Sequence, residues 1–210
     1  IDTTIPSAIE FERHLISRYL GAHGFASAQQ ISYLRKGVKS HVSRTCQEML
    51  ENNELQRVTM GKQIYYALPN TTDLLKHSIN RKKVHILSPF DNSVIQRKRL
   101  SEIFEFEYQI ECYVPSAKRL YGNFSLPLLW GTEFVGRMDA KIDRKTHKFN
   151  IQNLHVETPK VDEFIQVLQP SLKVFMQFNA GKNIQVHKVT SNQVLGINKE
   201  ADIKQILQTL

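Results

Sequence analysis

The sequence predicts an α+β fold made of two linked domains, at residues 1–70 and 71–210, with an antiparallel β-sheet in the second. Three observations lead to this prediction. The first fifty residues repeat apolar side chains at helical spacing, the next twenty alternate as a β-hairpin does, and the second half mixes strand-like and helical segments. A chain of 210 residues can bury one substantial core or two small ones, and two small domains are the preferred interpretation.

Two capping boxes begin the helices of the first domain. In each, a serine precedes Glu or Gln by three positions, the pattern that satisfies the free amide groups of a helix start. The boxes are Ser7 with Glu10 and Ser27 with Gln30, and they predict helices over Ala8–His23 and Ala28–Leu34.

A third helix and a hairpin complete this domain. From Ser40 onward, Val42, Cys46 and Met49 repeat at helical spacing, and basic and polar side chains fall largely on the other side. Two strands follow, over Leu55–Thr59 and Gln63–Leu68, with Lys62 in the turn between them. Three helices followed by a hairpin indicate a winged-helix (helix-turn-helix) domain.

The second domain begins with a basic stretch and continues as α+β structure. It is interpreted as a further domain of winged-helix type, so that the two domains stand in tandem. Its predicted helices are Gln96–Phe104, a segment after Pro159 with a break or kink at Pro170, and Lys199–Leu210; its predicted strands are Tyr108–Val114, Gly122–Leu129, Glu133–Ile142, Phe149–Val156 and Ile184–Val189.

The net charge of +8 and the pI near 9.5 favour a polyanionic partner, here double-stranded DNA. Only two cysteines, Cys46 and Cys112, are present, so a reduced cytoplasmic setting is expected. The eight histidines show no metal-ligand spacing and no phosphate-binding glycine loop is found, so neither a metal nor another cofactor is expected. No membrane-spanning segment is expected either, and the protein is expected to be a monomer.

Six basic residues are candidate DNA contacts from their positions alone. Lys39 and Arg44 lie on the exposed side of the third helix, where a recognition helix reaches base edges or phosphates, and Lys62 lies at the tip of the wing. The run Arg97, Lys98 and Arg99 opens a predicted helix, where the helix dipole opposes positive charge and an anionic partner would compensate. A solvated polar face remains the alternative in both places.

One part of the second domain resembles the YcaQ/AlkZ-like family of DNA glycosylases. The resemblance spans about residues 86–145, where the order and spacing of several segments agree. These segments are Ile86–Asn92, Arg97–Leu100, Phe104–Tyr108, Tyr113–Arg119, Tyr121–Gly122, Leu126–Pro127 and Val135–Asp139, followed by Lys141 and Asp143–Arg144. Ile95 and Gln96 depart from the family pattern, which has a tryptophan and an aspartate there.

The resemblance implies tandem winged-helix units that encircle DNA and excise alkylated or crosslinked bases by hydrolysing the N-glycosidic bond. It also implies a DNA-approaching β-hairpin, matched most closely by residues 113–121 and the strands beside them. Lys118, Arg119 and Tyr121 are the candidate contacts there, and Arg137 is a further candidate from the matching segments.

The family's catalytic motif, a glutamine two residues from a second glutamine or an aspartate, lies in its N-terminal unit, and no such motif is identified here. The nearest pair, Gln29 and Gln30, stands in the short helix of the winged domain, so the catalytic role is not transferred to it. The chain is therefore predicted to be the DNA-binding C-terminal region of a glycosylase-like protein, inactive alone. The alternative is a non-enzymatic regulator or a protein-interaction module.

Overall fold

The computed structural model describes residues 4–210, and the chain divides into two compact units, the first ending at Ser78 and the second spanning Ile79–Leu210. Among these described residues, no helix combines the length and the apolar character needed to cross a bilayer. The fold is α+β, as predicted.

Unit 1 consists of three helices and a three-stranded antiparallel sheet in the order β1-β3-β2. The prediction of three helices followed by a hairpin is confirmed, and the two-residue strand β1 is an addition that the sequence did not reveal. The elements are α1 (Ala8–His23), β1 (Phe25–Ala26), α2 (Ala28–Ile31), α3 (Lys39–Glu51), β2 (Gln56–Met60) and β3 (Gln63–Ala67), followed by a 3-10 helix over Pro69–Lys76.

Both predicted capping boxes are formed. The Ser7 hydroxyl accepts the amide of Glu10 at 3.3 Å, and the Glu10 carboxylate accepts the amide of Ser7 at 2.8 Å. The second helix, α2, ends at Ile31, three residues before the predicted end at Leu34. Leu34 adopts a left-handed backbone with φ of 61°, which is incompatible with a continuing right-handed helix.

The core of unit 1 forms where α1, α2 and α3 meet. Ile16 and Leu20 on α1 pack with Cys46 and Met49 on α3, and all four side chains are buried. Burial raises the pKa of the Cys46 thiol to about 12, so it stays protonated and serves as an apolar packing group.

Unit 2 is built on a six-stranded sheet in the order β4-β5-β6-β7-β8, with β9 also paired to β7. Its elements are β4 (Val84–Ile86), α4 (Arg97–Phe104), a 3-10 turn over Ser116–Lys118, β5 (Ser125–Trp130), β6 (Glu133–Asp143), β7 (Lys148–Val156), α5 (Val161–Phe178), β8 (Asn183–Val186), β9 (Val189–Ser191) and α6 (Lys199–Gln208).

The sheet is mixed, which corrects the expectation of an antiparallel sheet. β4 to β7 pair antiparallel, whereas β8 and β9 both pair with β7 in parallel. The physical reason is α5, which returns the chain to the starting end of β7, and a helical crossover of this kind makes the next strand parallel. Pro170 lies inside α5, so the helix is not broken there, and the alternative of a kink stays a prediction.

The predicted strand over Tyr108–Val114 is wrong. Residues 105–115 form irregular chain and turns. Of the predicted segment, Tyr108 inserts its ring into a small cluster with Leu100, Phe106 and Phe134, away from the main core, rather than pairing with a strand.

The main core lies between one face of the sheet and α5. Met138 and Leu154 from the central strands pack with Phe164, Leu168 and Leu172 of the helix, and all five are fully buried. The opposite face of β6 and β7 therefore carries the polar side chains, including Arg137 and His155.

Candidate nucleic-acid interface

In unit 1 the three predicted contacts are exposed. Lys39 is the first residue of α3, and Lys62 stands in the turn between β2 and β3. Arg44 lies on the side of α3 opposite the buried Val42 and Cys46 and approaches Glu48 one turn away, with Nε to Oε1 at 3.8 Å. A surface pair of this kind contributes little, so Arg44 stays available to a stronger anionic partner.

The Arg97–Arg99 run opens α4 as predicted, but its three side chains lie in different surroundings. Arg97 donates to the backbone carbonyls of Val94 and Pro89, and its guanidinium lies 4.5 Å from the centre of the Tyr108 ring. Arg99 is buried. Only Lys98 points to solvent, 3.7 Å from Glu102.

The positive charge in the first turn of α4 is thus partly compensated by groups of the same unit. Backbone carbonyls of the preceding loop accept from Arg97, and the Tyr108 ring faces its cation. Burial raises the pKa of the Tyr108 hydroxyl to about 12, so the ring stays neutral. An external anion is therefore not required to explain the run, and Lys98 is its accessible member.

Arg137 is buried on the polar face of β6. Its Nε donates to the Glu157 carboxylate at 2.7 Å and its second amino group donates to the Glu107 carbonyl at 3.0 Å. The guanidinium lies between two rings, 4.4 Å from the centre of Phe106 and 4.1 Å from that of Tyr121. With only 4% of its side chain exposed, Arg137 holds this part of the fold together and presents no charge at the surface.

Two carboxylates hold the loop that carries the remaining candidates. Glu111 accepts the amides of Leu120, Tyr121 and Gly122 at 2.8–3.0 Å. Burial acts to raise the pKa of Glu111, but these amide donors outweigh burial, and the pKa lies below its usual value. The acidic side chain is therefore ionised and shapes the backbone of residues 120–122.

Asp139 on β6 continues this support. Its carboxylate accepts the amides of Asn123 at 2.8 Å and Phe124 at 3.3 Å. Gly122 approaches the same carboxylate so closely that a Cβ atom there would collide with it. Farther along β6, Asp143 has a similar structural role, since its carboxylate accepts the amides of Lys145 and Thr146 in the following turn.

The candidates in this loop differ in accessibility. Lys118 is exposed at the 3-10 turn, whereas Arg119 is partly buried and its Nε donates to the carbonyls of Glu111 and Val114 at 3.1 and 2.9 Å. Tyr121 is partly buried between Arg137 and the His155 ring, whose centre is 4.8 Å from its own. The loop therefore offers Lys118 as its accessible cation.

A buried polar network fixes His155 beneath the loop. Its ring nitrogens bond Thr190 Oγ1 at 2.8 Å and Asn192 Oδ1 at 2.9 Å. Asn153 accepts from Thr190 at 3.1 Å and donates to the Tyr121 carbonyl at 3.1 Å. Burial lowers the pKa of His155, so a neutral ring is favoured.

In unit 2, the sequence identified residues that lie close together in the structure but did not reveal the carboxylate that holds their loop in place. Tyr121 and Arg137 do lie together, whereas Glu111 was not singled out, because an acidic residue in a polar loop gives no sign that three amides will surround it. Among residues 4–210, no cluster of three or more His, Cys, Asp or Glu side chains is arranged to hold a metal ion.

Comparison with known proteins agrees with the resemblance noted in the sequence. The fold is similar to that of DNA glycosylase AlkZ from Streptomyces sahachiroi, with a TM-score of 0.54 and 16% sequence identity. The similarity covers 89% of this chain and 47% of that protein, so the chain spans about half of its length. Residues 2–172 match the sequence model of the family described as DNA glycosylase AlkZ-like. The chain therefore belongs to the AlkZ-like DNA glycosylase family.

Proposed function

We propose that this chain is the DNA-gripping region of a DNA glycosylase-like protein, that both of its units are of the winged-helix type, and that it binds the duplex from which a damaged base is excised. The observation that carries the proposal is the set of exposed cations on elements suited to DNA contact within a chain of this family. These are Lys39, Arg44, Lys62, Lys98 and Lys118.

In unit 1, α3 would lie in the major groove and the β2–β3 turn would reach a neighbouring phosphate. The exposed side chains of α3 support this role, because its other side is fully used by the core of Val42, Cys46 and Met49. Arg44 is the residue best placed for a base edge or phosphate. Lys39 and Lys62 are assigned to phosphates, which fix orientation and carry no sequence information.

In unit 2, we assign phosphate contact to Lys98 and Lys118. Arg99 and Arg137 are buried, and Arg97 and Arg119 donate to backbone carbonyls, so we assign these four to the scaffold. Tyr121 stacks on Arg137 and belongs to the same scaffold.

Cleavage of the N-glycosidic bond requires an accessible base and a positioned water, and we assign that step to another part of the intact protein. The position of Gln30 supports assigning cleavage to another part of the protein. Its side-chain oxygen accepts the Ser27 amide at 3.1 Å in the capping box, and the residue is buried, so it serves the helix start.

A salt titration tests the proposal. The chain is added to a fluorescently labelled duplex, and affinity is measured from about 50 to 200 mM salt, the range over which phosphate contacts weaken strongly. We expect weak binding whose log affinity falls linearly with log salt, and no base release from an alkylated duplex. Affinity independent of salt contradicts phosphate contact, and base release by this chain contradicts the assigned division of labour.

One observation favours the alternative of a protein-interaction module. A groove of about 580 Å³ runs along α1 and is lined by Phe11, Leu15, Tyr19 and Tyr33, with Phe11 and Tyr33 partly open to solvent. Exposed aromatic side chains of this kind are typical of protein contacts. Absence of DNA binding in the same titration would support this second function.

A further inference from the structure

The polar face of the sheet in unit 2 has a covered half and an open half. In the covered half, the β6–β7 register places Arg137 opposite His155 and Asp139 opposite Asn153. These side chains lie beneath the loop that Glu111 holds. Farther along the same two strands, Lys141 pairs with Asn150 and Asp143 with Lys148. Alternation along β6 keeps Lys141 and Asp143 on the face of Arg137 and Asp139. On β7, the irregularity in pairing after Asn153 shifts the alternation by one residue, so that Phe149 and Ile151 enter the core and Asn150 and Lys148 lie on the polar face.

The open half carries a concentration of positive charge, which we name the basic sheet end. Lys141 and Lys148 stand on the strands, Arg144 and Lys145 in the turn between them, and Lys182 precedes β8, whose first residue pairs with Lys148. The basic sheet end thus consists of Lys141, Arg144, Lys145, Lys148 and Lys182.

These five cations outnumber the one acid beside them, Asp143, which interacts electrostatically with Lys141. Within residues 4–210, none of the five lies within 4.0 Å of a carboxylate in an ion pair. The one acid among them, Asp143, is engaged in the turn: its carboxylate accepts the amides of Lys145 at 2.9 Å and Thr146 at 3.3 Å, and these bonds lower its pKa. Like charges gathered on one surface repel, so an external anion would stabilise them.

The turn that displays these cations is tied to the rest of unit 2. His147, with φ of 55°, accepts the amide of Lys182 on its carbonyl at 2.8 Å, and its Nδ1 lies 3.0 Å from the Ala180 carbonyl. The backbone of the turn is therefore fixed before any partner arrives, which lowers the ordering cost of binding.

The neighbouring side chains favour a phosphate backbone over a lipid surface. Asn150 and His187 flank the lysines and bond each other at 3.3 Å, so the strand face offers hydrogen-bonding groups beside the cations. Amide and imidazole groups can bond phosphate and sugar oxygens, whereas insertion into a bilayer needs apolar side chains at this place.

We propose that the basic sheet end binds the sugar-phosphate backbone of duplex DNA, as a contact separate from Lys98 and Lys118. The proposal rests on the proposed function, since it adds a second surface to the same DNA-binding chain. It assigns a role to the β6–β7 hairpin, which carries none of the contacts predicted from the sequence apart from Arg137 on β6.

The test uses a matched pair of double variants in the full chain. One variant carries Lys141→Gln and Lys148→Gln on the basic sheet end. The control carries Lys160→Gln and Lys173→Gln, which remove the same charge at the start and on the exposed side of α5, the helix that covers the other face. Affinity for a labelled duplex is measured over a salt series, and circular dichroism and urea midpoints verify that both variants are folded.

We expect the first variant to lower the slope of log affinity against log salt by about 1.8 and to weaken binding roughly 10- to 60-fold near 0.1 M salt. The control should keep the wild-type slope. If both variants change affinity and salt slope equally, or the first variant changes neither, the basic sheet end does not bind DNA. The proposed function is not affected by that outcome. A wild-type chain that binds no duplex overturns both.

Discussion

Arg137 offers the sharpest test of how unit 2 is held together. Its guanidinium is 4% exposed, is bonded to Glu157 at 2.7 Å and to the Glu107 carbonyl at 3.0 Å, and is stacked between two rings. Replacing it by methionine leaves the Glu157 carboxylate without this cation. Removing one partner of a buried ion pair typically costs 3–5 kcal/mol, and because Glu157 is 16% exposed we expect about 3 kcal/mol.

The protein contains its own probe for this measurement. Trp130 is the single tryptophan, lies in β5 of unit 2, and has its ring centre 6.4 Å from that of Phe164 in the main core. Its fluorescence during urea unfolding therefore follows unit 2. The matched control is Arg144→Met, the same change at an exposed turn residue, which should alter stability by no more than about 0.5 kcal/mol.

Adding Glu157→Gln to Arg137→Met should recover part of the loss, because the second change removes the lone carboxylate charge. If Arg137→Met stays within about 0.5 kcal/mol of the wild type, the buried pair is not a support of the fold and the reasoning fails.

Two further predictions concern the residues around this pair. Gly122→Ala should destabilise unit 2 by about 2 kcal/mol or more, because φ is 138° and the new Cβ collides with Asp139. The control Gly196→Ala, whose new Cβ meets nothing within 4 Å, should be close to neutral in the same urea assay. Burial lowers the pKa of His155 in the folded state. As the pH falls through about 6.5, the unfolded chain therefore binds a proton at this residue while the folded chain does not. The stability that a neutral His155 contributes is then full above that pH and lost as the pH falls through it. The wild type should lose more stability than His155→Gln between about pH 7.5 and 5.5, and identical losses would contradict this assignment.

The helices of unit 1 could be predicted closely because their signals are local. A serine three residues before Glu10 or Gln30 fixes a helix start without help from distant residues. Strand β1 could not be found in this way, because two residues carry no periodicity and the pairing of Phe25 with Ala67 depends on the fold.

The candidate interface was harder to predict because charge does not reveal burial. Arg97, Arg99, Arg119 and Arg137 look alike in the sequence as cations, yet the fold buries or engages all four. These arginines differ from Lys98 and Lys118 because carbonyl groups, aromatic rings and Glu157 contact them. Several of these partners come from distant segments of the chain. The resemblance identified the family, and the placement of each side chain required the structure.

The polar layer on one side of β6 and β7 also constrains how these strands can pair. A slip of the chain by a single position would turn Arg137, Asp139 and His155 toward the apolar helix α5 and expose Met138 and Leu154 to water. Burying charged and polar groups without their partners is costly enough to exclude that arrangement. The same residues that stabilise the correct alignment therefore also exclude the shifted one.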